Sequence, residues 1–194
     1  MNKVATFILR AKHWQIFLML GVVLVFVESF SIHALTVNES PSGLIGTPAL
    51  LYGAMTALGM AFVLLWLWAI GSFLNSIAQP RLVQRTALWT FALIYPVLYL
   101  LLAAPFFITP GLKYFEIILP FHFLAFFCVI YDLRFVSKGL ALAENGRSVT
   151  FYDYAGPFFL IWFLPIGIWL VQPRINRLYA ERSGALGSAA ATNI

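Results

Sequence analysis

The sequence has very few charged residues. Asp, Glu, Lys and Arg make up 10% of the 194 residues, whereas 62% are hydrophobic. A soluble domain has roughly 25% charged residues. A water-soluble core of this size could not bury so much apolar surface, so the composition predicts an integral membrane protein whose first partner is the lipid bilayer. No room remains for a soluble domain beyond short loops and a tail.

Cysteine and the common catalytic motifs are also scarce or absent. Cys128 is the one cysteine and lies in an apolar run, which excludes an internal disulfide. The sequence contains no G-x-S-x-G, Walker loop, C-x-x-C or H-E-x-x-H pattern. We therefore expect no cofactor and no metal, and the sequence favours a non-enzymatic protein. It has no basic domain or arginine-rich arm that would bind nucleic acid.

Long apolar runs are what the sequence has in abundance. Four of them, at about 14–35, 48–75, 88–108 and 115–136, reach the length of about 20 residues that a transmembrane helix needs. A fifth apolar segment, 156–171, is shorter. The sequence therefore predicts an all-α fold with four transmembrane helices in a single membrane domain, residues 1–182, followed by a flexible tail, 183–194.

Basic residues predict the orientation of these spans. Lysine and arginine are enriched on the cytoplasmic side of membrane proteins. Through four spans, the side of the N-terminus would have eight basic residues: Lys3, Arg10, Lys12, Arg81, Arg85, Arg134, Lys138 and Arg147. The opposite side would have Lys113 alone. This asymmetry predicts a cytoplasmic N-terminus.

The fifth apolar segment has two possible arrangements. If it crosses the bilayer as a kinked helix, the arginines that follow it lie outside; if it returns, as a re-entrant or interfacial hairpin, they join the basic side. Pro165 removes a backbone donor and Gly167 adds freedom, so both predict a break. Asp153 is placed to cap the first half, and Pro173 to end the second. Charge favours the hairpin, and the kinked helix stays open.

Three polar residues within the predicted spans form a candidate intramembrane site. Glu28 and His122 are expected at a similar depth in the outer half of the membrane, with His33 one turn from Glu28. Such groups could form a polar contact between helices, a proton or ligand site, or no contact at all. Asp132, at the predicted end of the fourth span, is interpreted as an interface anchor.

Gly53, Ala57 and Ala61 recur at four-residue spacing. Small residues at this spacing form a ridge on which another helix can pack closely. The ridge predicts either packing within the chain or contact with a second copy or another membrane protein.

The segment from Phe158 to Asn176 resembles a known group of sequences. It matches the pattern F-F-x-I-W-F-x-P-I-G-I-W-x-x-Q-P-[RK]-[IL]-N of short, uncharacterised bacterial multi-pass membrane proteins, and "VTFYDY" and "HWQIF" match more weakly. The candidate signature residues are Asp153, Pro165, Gly167, Gln172, Pro173, Arg174 and Asn176. The resemblance implies a location in the bacterial inner membrane and transfers no activity.

These observations favour a membrane scaffold or an accessory subunit of a larger assembly. The alternative is a small transporter, or a protein that handles protons or lipids, with Glu28 and His122 at its site. Substrate, partner and oligomeric state do not follow from the sequence.

Overall fold

The computed structural model describes residues 2–37, 47–107 and 115–192, except for the side chains at 24, 26–28, 30–37, 47–52, 104–107, 115 and 186–192. Its described elements are seven α-helices and no strand, which confirms the all-α prediction. The helices are α1 (Lys3–Arg10), α2 (His13–Val37), α3 (Thr47–Ile77), α4 (Ala87–Phe107), α5 (Phe115–Asn145), α6 (Phe151–Trp162) and α7 (Leu164–Thr192).

Each of the four long apolar runs is one helix, from α2 to α5. Over the described residues, two stretches are long and apolar enough to cross a membrane, Gly53–Ile77 and Glu116–Asn145. The apolar stretches described in the other two helices, His13–Val23 and Ala87–Ala103, are shorter. Length and composition therefore support two of the four predicted spans.

Helix α5 extends well beyond the predicted end at residue 136. Val136, Leu140 and Ala141 lie on its buried face, so the apolar pattern continues to Asn145. Gly146 then turns the chain with a φ of 62°, a conformation that glycine adopts without the steric cost of a side chain.

The chain divides into two compact units. Unit 1 comprises Met1–Leu18, Trp66–Arg85 and Leu133–Ile194, and unit 2 comprises Met19–Leu65 and Thr86–Asp132. Eleven of the twelve Lys and Arg residues and three of the seven acidic residues fall in unit 1, a formal net charge of +8. Unit 2 has one basic and four acidic residues, a net charge of −3, and the two values give the +5 of the whole chain.

The core of unit 1 is built from α3, α5, α6 and α7. Its fully buried apolar side chains are Trp66, Leu67, Ile70, Leu74, Val136, Leu140, Ile161, Ile168, Val171 and Ile175. On α3 and α7 these residues recur at spacings of three and four, which places each set on one helical face. In unit 2, Tyr99 and Ala103 on α4 cluster with Ala125 on α5.

Helix α7 is longer than the sequence predicts. The prediction that Pro173 ends this helix is wrong, because α7 passes through Pro173 and continues to Thr192. Side-chain hydrogen bonds made by Gln172 and Asn176 fix the helix on both sides of the proline. The backbone of Ser183–Thr192, within the predicted flexible tail, belongs to the same helix.

Candidate functional site

The C-terminal signature segment begins with a defined helix start. The Thr150 N–H donates to Asp153 Oδ2 at 2.7 Å, and the Thr150 hydroxyl donates to the same oxygen at 2.9 Å. The first of these bonds, from the backbone N–H of the residue before the helix to the side chain of its third residue, is one of the two bonds of a capping box. Hydrogen bonds from Thr150, together with the charge of Arg147 at 3.0 Å, lower the pKa of the Asp153 carboxyl. Asp153 takes part in the cap, but as the third residue of α6, because the helix begins earlier than predicted, at Phe151, and Thr150 is the N-cap residue.

The predicted break near Pro165 and Gly167 is present. Helix α6 ends at Trp162, Phe163 leaves helical geometry with φ −88° and ψ 63°, and α7 begins at the next residue. Pro165 lies in the first turn of α7, where a missing N–H costs no helical hydrogen bond. The Gly167 N–H donates to the Phe163 carbonyl at 2.9 Å and starts the hydrogen bonding of α7.

The backbone of Gly167 lies very close to the backbone of the preceding helix, which shows that the chain turns sharply. A Cβ atom at this position would overlap the carbonyl oxygen of Leu160. In one continuous helix, residues seven apart are separated by about 10.5 Å along the axis. The direct contact between the Gly167 and Leu160 backbones therefore requires a sharp turn, and the turn requires glycine.

Gln172 is the centre of a buried hydrogen-bond network in unit 1, which we call the Gln172 network. Its side chain is 0% exposed. Gln172 Oε1 accepts from Trp66 Nε1 of α3 at 3.0 Å, while Nε2 donates to the Ile8 and Ala11 carbonyls at 3.0 and 3.1 Å. Asn176, one turn later, accepts from Gln172 Nε2 at 3.0 Å and donates to Ala11 at 3.1 Å.

The two carbonyl oxygens that Gln172 binds lie at the C-terminal end of α1. The last carbonyls of a helix have no partner within it and need one from elsewhere. Gln172 and Asn176 supply those partners from α7, and α1 is thereby attached to α7 and α3.

Arg174 is also engaged within the chain. Its Nε donates to Glu144 Oε1 at 2.8 Å, and its Nη2 contacts the second carboxylate oxygen, so the pair is bidentate. Glu144 lies in the last turn of α5. Bidentate arginine–carboxylate pairs are geometrically specific. Arg174 therefore connects α7 to α5.

Two of the segments that carry the resemblance meet in unit 1. The Trp169 ring lies 4.5 Å from the His13 ring and 5.8 Å from the Phe17 ring, between centroids. His13 and Phe17 are the ends of "HWQIF". The resemblance itself stays a prediction, but its two segments are packed together.

The intramembrane site of Glu28, His33 and His122 is described in part. The side chains of Glu28 and His33 lie outside the described residues, so their meeting with His122 stays a prediction. His122 Nδ1 is 3.1 Å from the Tyr99 hydroxyl, and the two rings meet edge to face.

The small-residue ridge has a described environment. Gly53 and Ala57 are buried, and Ala61 is half-buried. Burial within the chain favours intramolecular packing at the first two positions. Contact with a second copy through this ridge stays a prediction.

Asp132 is an acidic residue whose burial was not predicted from the sequence. It is 0% exposed, and neither carboxylate oxygen has a hydrogen-bond partner in the described part of the chain. The interpretation as an interface anchor is wrong, since an anchor reaches water or headgroups. The signal was its spacing: Ala125, Cys128 and Asp132 follow at i, i+3 and i+7 and share the buried face of α5.

Across residues whose placement is described, no group of three or more His, Cys, Asp or Glu side chains is arranged to bind a metal. No protein-family model, curated protein or solved structure matches the chain.

Proposed function

We propose that this chain is a multi-pass protein of the bacterial inner membrane, with α2 to α5 as its spans. The support is the apolar surface of unit 2, where α4 and α5 expose large side chains. Six of these, each 49–70% exposed, are Phe91, Leu98, Leu102, Ile117, Phe123 and Phe127. Soluble proteins rarely expose contiguous apolar surface of this kind, because water penalises it. Lipid tails are the solvent that suits this surface.

The proposed orientation places the basic unit at the cytoplasmic face. Unit 1 has a net charge of +8, and eleven of the twelve basic residues belong to it. Cytoplasmic headgroups are anionic and attract such residues. The N-terminus and α7 would then lie on the same side.

The C-terminal segment in this proposal is a hairpin that returns to the cytoplasmic side. Helix α6 has 12 residues and is about 18 Å long, which is shorter than the hydrocarbon core of about 30 Å. The chain then turns sharply between Phe163 and Gly167, immediately after α6. Irregular backbone within a membrane must be covered by protein or water. Ile161 and Ile168, on either side of the turn, are fully buried, whereas Phe163 and Ile166 at its tip are 59% and 62% exposed, so the tip fits a position at the membrane interface.

The function we propose is that of a non-enzymatic scaffold or accessory subunit. One observation supports this function. The polar side-chain atoms of the signature residues Gln172, Asn176 and Arg174 form hydrogen bonds with other segments of unit 1. Catalytic groups are typically left available to a substrate, whereas these groups connect elements. The signature segment therefore builds a platform that a partner can recognise as one surface.

Extraction in a mild detergent followed by native mass spectrometry tests this proposal. We expect the full chain to co-purify with a membrane protein in a fixed ratio. The Gln172→Leu variant should no longer bind that partner, although it remains in the membrane fraction. Arg81→Gln, an exposed loop change, is the control. A chain that purifies alone at native expression level, with its cellular role intact, would contradict the scaffold proposal.

Asp132 favours a second candidate function, the handling of protons. A buried carboxylate without a hydrogen-bond partner is costly, and within membrane helices such groups mark proton pathways. Glu28 and His122 remain the sequence-based candidates for the same role. A phenotype of Asp132→Asn or Glu28→Gln as strong as that of the gene deletion, at unchanged protein level, would support this function over a scaffold.

A further inference from the structure

A groove of about 420 Å³ runs between the end of α1 and one face of α7 in unit 1. Leu9 and Arg10 form the α1 side. The α7 side consists of Asn176, Tyr179, Ala180 and Ser183, at i, i+3, i+4 and i+7, so a single helical face lines it. The groove is therefore bounded by the two helices that the Gln172 network joins.

Arg10 brings a positive charge to this groove. Its guanidinium carbon lies 5.9 Å from the centre of the Tyr179 ring, a cation–π arrangement that positions the side chain. Within the described ranges, no carboxylate forms an ion pair with Arg10. On α5 and α7, Glu144 and Glu181 pair with Arg174 and Arg177. The groove thus contains a positioned cation whose charge no described carboxylate neutralises through an ion pair.

The surface beside Arg10 is apolar. Phe7, one turn earlier on α1, is 59% exposed, and Val4 is 44% exposed. Lys3 lies near Arg10 on the helical projection, while Ala5, Ile8 and Leu9 face the protein. A basic stripe beside exposed apolar residues is typical of a helix that lies in the membrane interface. The ligand that fits this arrangement has an anionic head and an apolar tail.

We propose that this groove binds the headgroup of an anionic phospholipid of the cytoplasmic leaflet. The phosphate lies against the Arg10 guanidinium over the Tyr179 ring, and the acyl chains lie along Phe7 and Val4. The site rests on the membrane location proposed above. A free phosphate shares the headgroup chemistry but would gain nothing from the exposed apolar residues.

Lipid titration of the full chain in a neutral detergent tests the site. Phosphatidylglycerol and phosphatidylcholine are added separately, and bound lipids are counted by native mass spectrometry. We expect selectivity for phosphatidylglycerol. Arg10→Gln should weaken phosphatidylglycerol binding about fivefold, the effect of one basic group near an anionic surface. Ser183→Leu should weaken it as well, because the larger side chain fills the groove and leaves the charge unchanged.

The control is Arg81→Gln, which removes the same charge from a loop outside the groove. If Arg81→Gln and Arg10→Gln weaken binding equally, the attraction is diffuse and the site is wrong. Displacement of the lipid by millimolar inorganic phosphate would assign the groove to a free anion instead. A chain that a carbonate wash releases from membranes would refute the membrane location; a membrane-embedded chain without lipid selectivity would refute the groove alone.

Discussion

Gly167 is a residue at which one added methyl group would collide with the backbone of the chain. Its Cβ would overlap a backbone carbonyl, which cannot rotate away as a flexible side chain could. We expect Gly167→Ala to destabilise the protein by about 3 kcal/mol, the upper range for overpacking a tight site. The measurement is the thermal unfolding midpoint in detergent.

Gly156→Ala is the matched control, because a Cβ at this position in α6 would meet nothing within 4 Å. Alanine is favoured over glycine in a helix by about 1 kcal/mol, so this variant should be slightly more stable. If both variants unfold at the wild-type temperature, the close approach of Gly167 to Leu160 is wrong.

At the residue scale, Asp132 is a position where a substitution should stabilise the protein, unlike Gly167. Asn has nearly the same shape and no charge, so Asp132→Asn removes a group whose ionisation burial disfavours. We expect the variant to retain its fold and to gain less than about 1 kcal/mol in stability at neutral pH, because the buried Asn amide would also lack hydrogen-bond partners. Unfolding in detergent is the measurement, with exposed Glu116→Gln as the control. A clear loss of stability would reveal a partner for the carboxylate.

At the scale of elements, the attachment of α1 depends on Gln172. Gln172→Leu would leave Trp66 Nε1 and the Ile8 carbonyl without their buried partner, while the Ala11 carbonyl keeps its hydrogen bond from Asn176. Each unsatisfied buried group costs about 1–3 kcal/mol, so we expect a total loss of about 3 kcal/mol after partial compensation by Asn176. Amide hydrogen exchange should rise first in α1.

Gln79→Leu is the control for this change, since Gln79 is exposed and its side chain donates to the Gly146 carbonyl at 3.1 Å, away from the Gln172 network. It should leave exchange in α1 unchanged. Equal effects of the two substitutions would show that α1 does not depend on the Gln172 network.

The start of α6 should respond to pH through Asp153. Its pKa is lowered below the ordinary value of 3.8, chiefly by the hydrogen bonds from Thr150. A lowered pKa in the folded state means that the carboxylate stabilises the helix above about pH 4 and loses that effect as pH falls through the folded pKa. Wild type should be more stable than Asp153→Asn at pH 7, and the two should converge as the pH falls through the lowered pKa of the folded state. A constant difference would exclude the charge as the cause.

The elements were more predictable than their contacts, for a physical reason. The presence of the helices and the break at Pro165 follow from local composition and backbone geometry, which adjacent residues determine, whereas the C-terminal ends of α5 and α7 do not. The partners of Gln172 lie 106 to 164 positions away in the sequence, and no local pattern specifies such a pairing. Pro173 misled the prediction for the same reason: distant hydrogen bonds keep α7 helical where local propensity predicts an end.

At the scale of the whole molecule, most basic residues and the main side-chain hydrogen-bond network belong to the same unit. Unit 1 contains nearly all the basic residues and also the Gln172 network, the Arg174–Glu144 pair and the cap of α6. Unit 2 is exposed and apolar along α4 and α5. The orientation proposed above, with the basic residues at the cytoplasmic headgroups, is consistent with this difference in charge.

This placement makes a topology prediction. If α6 and α7 return to the side from which they start, the N-terminus and the C-terminus share the cytoplasm, and Arg174, Arg177 and Arg182 join the other basic residues there. A fluorescent protein that folds only in the cytoplasm should therefore be bright when fused after Ile194. Alkaline phosphatase, active only outside, should be inactive at the same position and active when inserted between α4 and α5. Phosphatase activity after Ile194 would mean that α6 and α7 together cross the bilayer, and the kinked fifth helix would replace the hairpin.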